Sequence, residues 1–331
     1  MRPSGVSAES LGAAGSVLAR AASRGVFPGA SAEVGDAAGV VWAETVGRLA
    51  YDPESPLVQA DTIYDLASLT KVIATGTLMM RSVAQGLLAL STPVARLLPG
   101  WDTAERAGVR VVDLLAHSSG LPAVRPLYEF GFGRTVFERE ILALPLEYQP
   151  GTQSIYSDLG FIVLGFVLED VYGRTLAHEF GSLARRWNRE EPLSFGVDPG
   201  ALSRTAPTQR DEWRGRLLRG EVDDRNASAL GGAAGHAGLF GTAGSVGDFA
   251  RALLGALNGD GADTFGGQEL VALFSERRGI PGSSRALAWD TMMPSSSCGA
   301  RMSRRAFGHT GFTGTSLWID PEAGLYFVLL T

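Results

Sequence analysis

The run from residue 72 to 88 constrains the fold more than any other stretch. It is largely apolar around its circumference (Val72, Ile73, Leu78, Met79, Met80, Val83, Leu87) and holds no proline. A helix that is hydrophobic on every side has to be buried, so the chain must cover all of its flanks. Just ahead of it stand Ser68 and Lys71, a hydroxyl and an amine three residues apart. With Ser68 in the first turn, Lys71 lies on the same helix face, about 4.5 Å further along the axis. Burial disfavours an ammonium, and a serine beside a neutral or partly neutral lysine becomes a usable nucleophile. The alternative is simple capping, with Ser68 closing the helix N-terminus and Lys71 reaching water. Four residues alone favour the cap, and the rest of the chain decides.

With 331 residues, 45% of them hydrophobic and 19% charged, the chain has room for one large domain or two lobes that share a site. A net charge of −6 without a long basic run excludes nucleic acid as the expected partner. The single cysteine, Cys298, can form no internal disulfide and reads as a small semi-buried apolar residue. The four histidines, His117, His178, His236 and His309, form no close ligand pair in sequence, so neither a metal nor another cofactor is expected. His117 and His236 read as residues that fix loops around a cleft. No apolar stretch reaches 18 residues, so no membrane span is expected. Residues 1–7 lack the apolar core of a secretory signal, which makes the cytoplasm the default while leaving the compartment open.

In chain order, residues 10–23 carry Leu11, Ala14, Val17, Leu18 and Ala21 at helical spacing, with Gly25 as the stop. Residues 30–34, 39–45 and 47–51 are short, apolar or alternating and divided by turns, which predicts an antiparallel meander. A short helical piece begins at Pro93. Residues 109–115 look helical and end in a turn at 116–122, and 138–144 is the best helix candidate in the mixed stretch that follows. Tyr156 and Asp158 fall on a loop that enters a helix over 159–172, a placement that suits site residues. Residues 185–230 read as a loop-rich excursion. The glycine-dense stretch 229–241 around His236 has no preceding apolar strand and no following Lys-Ser/Thr, so it reads as tight backbone packing and not as a phosphate loop. A helix over 245–257 takes Ser245 as its cap. Strands are expected at 286–289, 306–310, 315–320 and 325–330. Strands at both ends and helices between them predict an α+β fold with one antiparallel sheet built from both termini. The division is into a sheet lobe (1–66 and 231–331) and a mainly helical inserted lobe (67–230), with the active site between them.

Three separated pieces need a common explanation: Ser68-x-x-Lys71, Tyr156-Ser157-Asp158, and His309-Thr310-Gly311. Together they resemble the serine β-lactamase and penicillin-binding protein superfamily, most closely its class C-like branch of β-lactamase-related hydrolases and esterases. The stretches LLAHSSGLP (114–122), YSDLGFIVLG (156–165), GHAGLF (235–240), RALAWDT (285–291) and GHTGFTGTSLWIDP (308–321) extend the likeness over most of residues 61–330, in the right order. The resemblance implies a β-lactamase/transpeptidase-like fold. It makes Ser68 the acyl-accepting nucleophile, Lys71 its partner in proton transfer and Tyr156 the general base or its relay. The backbone N–H groups of Ser68 and Phe312 would form the oxyanion hole, and Asp158, His309, Thr310 and Gly311 would contact substrate. Because an unperturbed tyrosine, with a pKa of about 10, is a poor base at neutral pH, Tyr156 needs nearby positive charge, which Lys71 and His309 could supply.

Two departures matter. Asp158 stands where the family has asparagine, and His309 stands where many members have lysine. A histidine, with a pKa of about 6.5, is mostly neutral at pH 7. Both changes argue against a carboxylate-bearing substrate and for a neutral ester or amide, or a broad substrate range. The expected function is therefore a serine hydrolase working through an acyl-enzyme. A penicillin-binding D,D-peptidase or a β-lactamase acting on β-lactam-like compounds is the alternative, and a non-catalytic binding protein that keeps the fold is the alternative of another class. One more expectation concerns residues 325–331, which read as a buried strand. In the group it resembles, a C-terminal helix usually follows this strand. With only the helix over 10–23 on that face, a homo-oligomer or a longer natural chain is expected to cover it.

Overall fold

The computed structural model describes residues 7–187, 190–191 and 193–331. The reading of residues 1–6 as lacking a signal, and of 188, 189 and 192 as loop, lies outside the described residues. The elements are α1 (Ala8–Ser23), β1 (Gly29–Asp36), β2 (Gly39–Gly47), β3 (Tyr64–Asp65), then a π-helical stretch (Lys71–Gly76) that continues as α2 (Thr77–Ala84). There follow α3 (Val111–Leu115), α4 (Arg134–Ala143), α5 (Asp158–Tyr172), α6 (Leu176–Ala184), β4 (Ser194–Phe195), β5 (Arg210–Asp211), β6 (Arg216–Leu217) and α7 (Arg225–Ala229). The chain ends with β7 (Leu239–Gly241), α8 (Ala243–Leu257), α9 (Gln268–Ser275), β8 (Asp290–Thr291), β9 (Phe307–Thr310), β10 (Ser316–Asp320) and β11 (Leu325–Leu330).

The main sheet is antiparallel in the order β2-β1-β11-β10-β9-β8, so both ends of the chain do build one sheet. The joining register runs from Ser31 opposite Leu330 to Asp36 opposite Leu325. Alternation along β1 divides the faces. Glu33 points toward α8, where a Cβ at Gly247 would overlap its carboxylate, while Val34 and Trp42 look toward α1. Beside α1 lies an almost wholly apolar groove of about 300 Å³, lined by Ala14, Val17, Trp42, Phe327 and Leu329 among others. A smaller sheet, β3-β7-β4, stands next to the buried helix. Leu69, Val72, Ile73, Leu78, Met79 and Met80 of that helix are all 0% exposed, as the all-round apolar pattern requires. Among the described residues, no helix is long and apolar enough to cross a membrane.

Several boundaries differ from the sequence reading. Residues 286–289 form no strand; Ala286, Leu287 and Ala288 are 0% exposed in a loop through the core. Their backbone is satisfied by carbonyls outside any ladder: Ala288 N–H donates to Leu115 O at 2.8 Å and Leu287 N–H to Phe274 O at 3.1 Å. Burial alone had produced the apolar run. Residues 47–51 add no strand, because Gly47 closes β2 at φ 75° and only an isolated bridge joins Arg48 to Leu57. The cap of α8 is Thr242; Ser245 is its capping-box partner, with reciprocal bonds of 3.0 and 2.9 Å. The buried helix stops at Ala84, ahead of Gly86 at φ 68°. Three helices, α6, α7 and α9, have no counterpart in the sequence reading.

Candidate active site

The site begins at a sharp turn between β3 and the buried helix. Ala67 adopts φ 46°, a left-handed conformation that costs a residue with a Cβ roughly 1 kcal/mol or more. Asp65 compensates: its Oδ1 accepts the Ala67 N–H at 2.8 Å and its Oδ2 accepts the Asp223 N–H at 2.6 Å. Burial pushes the Asp65 carboxyl up to about 7, the two bonds and nearby Asp223 acting as smaller influences. The turn delivers Ser68, half-buried, to the floor of a cleft of about 420 Å³.

Lys71 is 0% exposed, and its Nζ has three oxygen partners: Ser68 Oγ at 2.9 Å, the His236 carbonyl at 3.0 Å and Asp158 Oδ1 at 2.8 Å. That ion pair corrects the expectation of a neutral amine. Burial does work against the charge, but Asp158 and Tyr156 outweigh it and hold Lys71 above the ordinary lysine range. The departure from asparagine at position 158 thus sets a carboxylate against Lys71 that favours its charged form. Asp158 is the first residue of α5, and the Ser157 hydroxyl caps that helix by accepting the Gly160 N–H at 3.3 Å.

Tyr156 donates its hydroxyl hydrogen to Ser68 Oγ at 2.8 Å, across 88 residues of sequence. His117 holds the tyrosine loop. Its carbonyl accepts the Ile155 N–H at 2.9 Å, its Nδ1 accepts the Ser157 N–H at 3.0 Å, and its ring lies 4.7 Å from that of Tyr156. This is the loop-fixing place expected for it. His117 is neutral there, because burial and then the charges of Arg285 and Lys71 push it well below the usual histidine value.

His309, at the end of β9, is also buried and pushed well below the usual value, by burial and then by Arg285. It therefore carries no positive charge to Tyr156, which corrects that expectation. It faces the tyrosine by ring contact at 5.7 Å, while its Nδ1 bonds the Thr310 carbonyl at 2.7 Å. The second cation is Arg285, whose guanidinium carbon lies 4.9 Å from the centroid of the Tyr156 ring and whose Nη1 lies 3.4 Å from His309 Nε2. Arg285 lay within a stretch already matched to a family, but a loop arginine 24 residues from His309 gives no periodic signal of its own. Thr310 is exposed, Gly311 half-buried, and Phe312 is 86% exposed on the rim of the cleft. His236, whose carbonyl holds Lys71, is itself anchored by Nε2 to Asp224 Oδ1 at 2.8 Å. Among the described residues no group of three or more His, Cys, Asp or Glu could hold a metal ion.

Comparison with known proteins adds to this geometry. The family model described as Beta-lactamase matches residues 16–331. A curated protein of Escherichia coli strain K12 named "Putative D-alanyl-D-alanine carboxypeptidase" is 32% identical over 308 residues, covering 82% of this chain and 69% of that one. The class C beta lactamase from Rhodobacter sphaeroides has a TM-score of 0.77 at 19% identity, over 98% of this chain and 93% of that one. EstCE1, a hydrolase with promiscuous acyltransferase activity, has a TM-score of 0.76 at 22% identity, again over 98% and 93%. At these identities the structural likenesses carry the fold: a β-lactamase/transpeptidase-like arrangement of antiparallel sheet and helices.

Proposed function

Since this chain belongs to the beta-lactamase family of serine hydrolases, we propose that it cleaves small esters or amides through an acyl-enzyme on Ser68. The observation that carries this reading is the convergence of Tyr156 Oη at 2.8 Å and Lys71 Nζ at 2.9 Å on one serine oxygen. With its own hydroxyl proton first given up to solvent, Tyr156 acts as a phenolate: it takes the Ser68 proton as Oγ attacks the acyl carbon, then passes that proton to the leaving alcohol or amine and is a phenolate again. Water, deprotonated by the same tyrosine, releases the acid and returns the proton to Ser68. Lys71, held cationic by Asp158, acts in this scheme as a fixed positive charge, and Arg285 supplies a second one against the tyrosine ring. Both stabilise negative charge on oxygen as the proton moves. The backbone N–H groups of Ser68 and Phe312 take the developing oxyanion.

A second reading, a D,D-peptidase acting on a carboxylate-bearing peptide, is favoured by the carboxypeptidase name of the Escherichia coli relative and by Arg285. One of the two arguments against such substrates was the missing lysine at position 309; Arg285 restores a permanent cation 3.4 Å from that histidine. The test is intact-mass measurement with a p-nitrophenyl ester, a fluorophosphonate and a penicillin. The wild-type chain should gain one acyl or phosphonyl group and turn the ester over, and Ser68→Ala should do neither while melting at an unchanged temperature. An alanine variant that keeps most of the activity would refute the assignment of Ser68.

A further inference from the structure

We propose that Thr313 and Thr315 are positioning residues that set the gap between the Ser68 and Phe312 N–H groups, and so govern transition-state binding and not substrate binding. The inference rests on the reading of those two N–H groups given above. They belong to different sheets: Ser68 follows β3 of the three-stranded sheet, and Phe312 follows β9 of the six-stranded one. Among the described residues no ladder joins β3 to β9 or β10. Two hydroxyls take the ladder's place. Thr313 Oγ1 donates to the Asp65 carbonyl at 2.7 Å, and Thr315 Oγ1 donates to the Leu66 carbonyl at 3.0 Å. Consecutive carbonyls just ahead of Ser68 are thus clasped by hydroxyls just beyond Phe312.

The clasp has no slack. A Cβ at Gly311 would lie 2.8 Å from the Leu66 carbonyl and 3.2 Å from the Ala67 Cβ, and would overlap Thr315 Oγ1. On its far side the 65–68 segment is fixed by the Leu66 N–H to Leu239 O bond at 2.9 Å and by the Asp65 bond to the Ala67 N–H at 2.8 Å. Within the turn, Gly311 N–H donates to Thr315 O at 2.7 Å and Gly314 N–H to Gly311 O at 3.1 Å. Thr315 is 1% exposed and needs some partner. Thr313 is only half-buried and could bond water, so its bond to the Asp65 carbonyl reports a fit between the segments. Oxyanion donors act on charge that develops after binding, so a change in their spacing alters turnover more than substrate affinity.

The test uses p-nitrophenyl butyrate turnover together with inhibition by phenylboronic acid, which adds to a serine oxygen as a tetrahedral anion. Thr313→Val should lower kcat about tenfold with KM within about twofold, and boronate affinity should fall by the same factor. Thr313→Ser, which keeps the hydroxyl, should restore both. A valine variant with wild-type kcat, a serine variant as impaired as the valine one, or a change confined to KM would overturn the proposal. Should Thr313→Val fail to fold, Thr315→Val against Thr315→Ser is judged by the same three results. Ser68→Ala separates the two levels of inference: inactive alanine with fully active valine removes only the clasp, whereas active alanine removes the underlying reading.

Discussion

At the scale of single residues, the proposed substrate preference turns on the charges around Tyr156. Among the described residues the Arg285 guanidinium makes no ion pair with a carboxylate; it meets the His309 ring nitrogen at 3.4 Å and the tyrosine face at 4.9 Å. A cation left half-exposed beside a cleft is available to an anionic group on the substrate. Arg285→Gln should therefore lower kcat/KM about tenfold more for a carboxylate-bearing ester than for its neutral match. An unchanged ratio would leave pocket shape as the determinant. His309→Lys would set a second cation against Arg285 and should cost stability. Asp158→Asn tests the other charge: without its ion pair the buried Lys71 should lose its proton more readily, moving the alkaline limb of the rate profile to lower pH. A profile that stays in place would show that Tyr156 alone sets the charge of Lys71.

At the scale of elements, the glycine-rich segment 231–238 couples fold to site. Gly235 lies where a Cβ would overlap the Phe161 carbonyl of α5, and its own carbonyl accepts the Thr75 hydroxyl at 2.6 Å. The next carbonyl, of His236, holds Lys71 at 3.0 Å. Gly235→Ala should cost about 1–3 kcal/mol from overpacking and also reduce kcat, because the displaced His236 carbonyl is a partner of Lys71. Gly231→Ala, at φ 92° with open space around it, should cost stability alone. Equal kcat in the two variants would break the link. The tight packing here was legible in the sequence, as were the buried helix and the two-ended sheet, because burial and alternation leave periodic marks. The meeting of Ser68, Lys71 and Tyr156 was legible through ordered motifs. What escaped was set by tertiary contact: the protonation of Lys71 depends on Asp158, 87 positions away, and the loop 286–289 looks like a strand because the core buries both equally. Thr242 and Ser245 both suit a cap, and only their reciprocal bonds tell the cap from its partner.

At the scale of the whole molecule, buried ionisable groups predict how stability depends on pH. His117 and His309 are pushed well below 6.5, by burial and then by Arg285. The unfolded chain gains protons on them below about pH 6.5 and the folded chain does not. Their contribution is therefore complete above that pH and is lost as pH falls, at about 1.4 kcal/mol per unit for each. Asp65 has the opposite sign. Burial raises it to about 7 in the folded state, against about 3.9 unfolded, so its charging penalty is present in full above pH 7 and is relieved as pH drops toward 4. Glu33, also raised by burial, adds relief of the same sign beginning at lower pH. Just below pH 6.5 two histidines are thus opposed by one aspartate. The net loss is about 1.4 kcal/mol per unit, so the melting temperature should begin to fall near pH 6.5 and not near 4, where surface carboxylates titrate. Melting curves from pH 8 to 5 test this directly. Asp65→Asn should steepen the acid limb by removing the offset, and His309→Gln should flatten it. A wild-type melting temperature that stays level to pH 4.5 would mean that the two histidines are not held neutral in the folded chain.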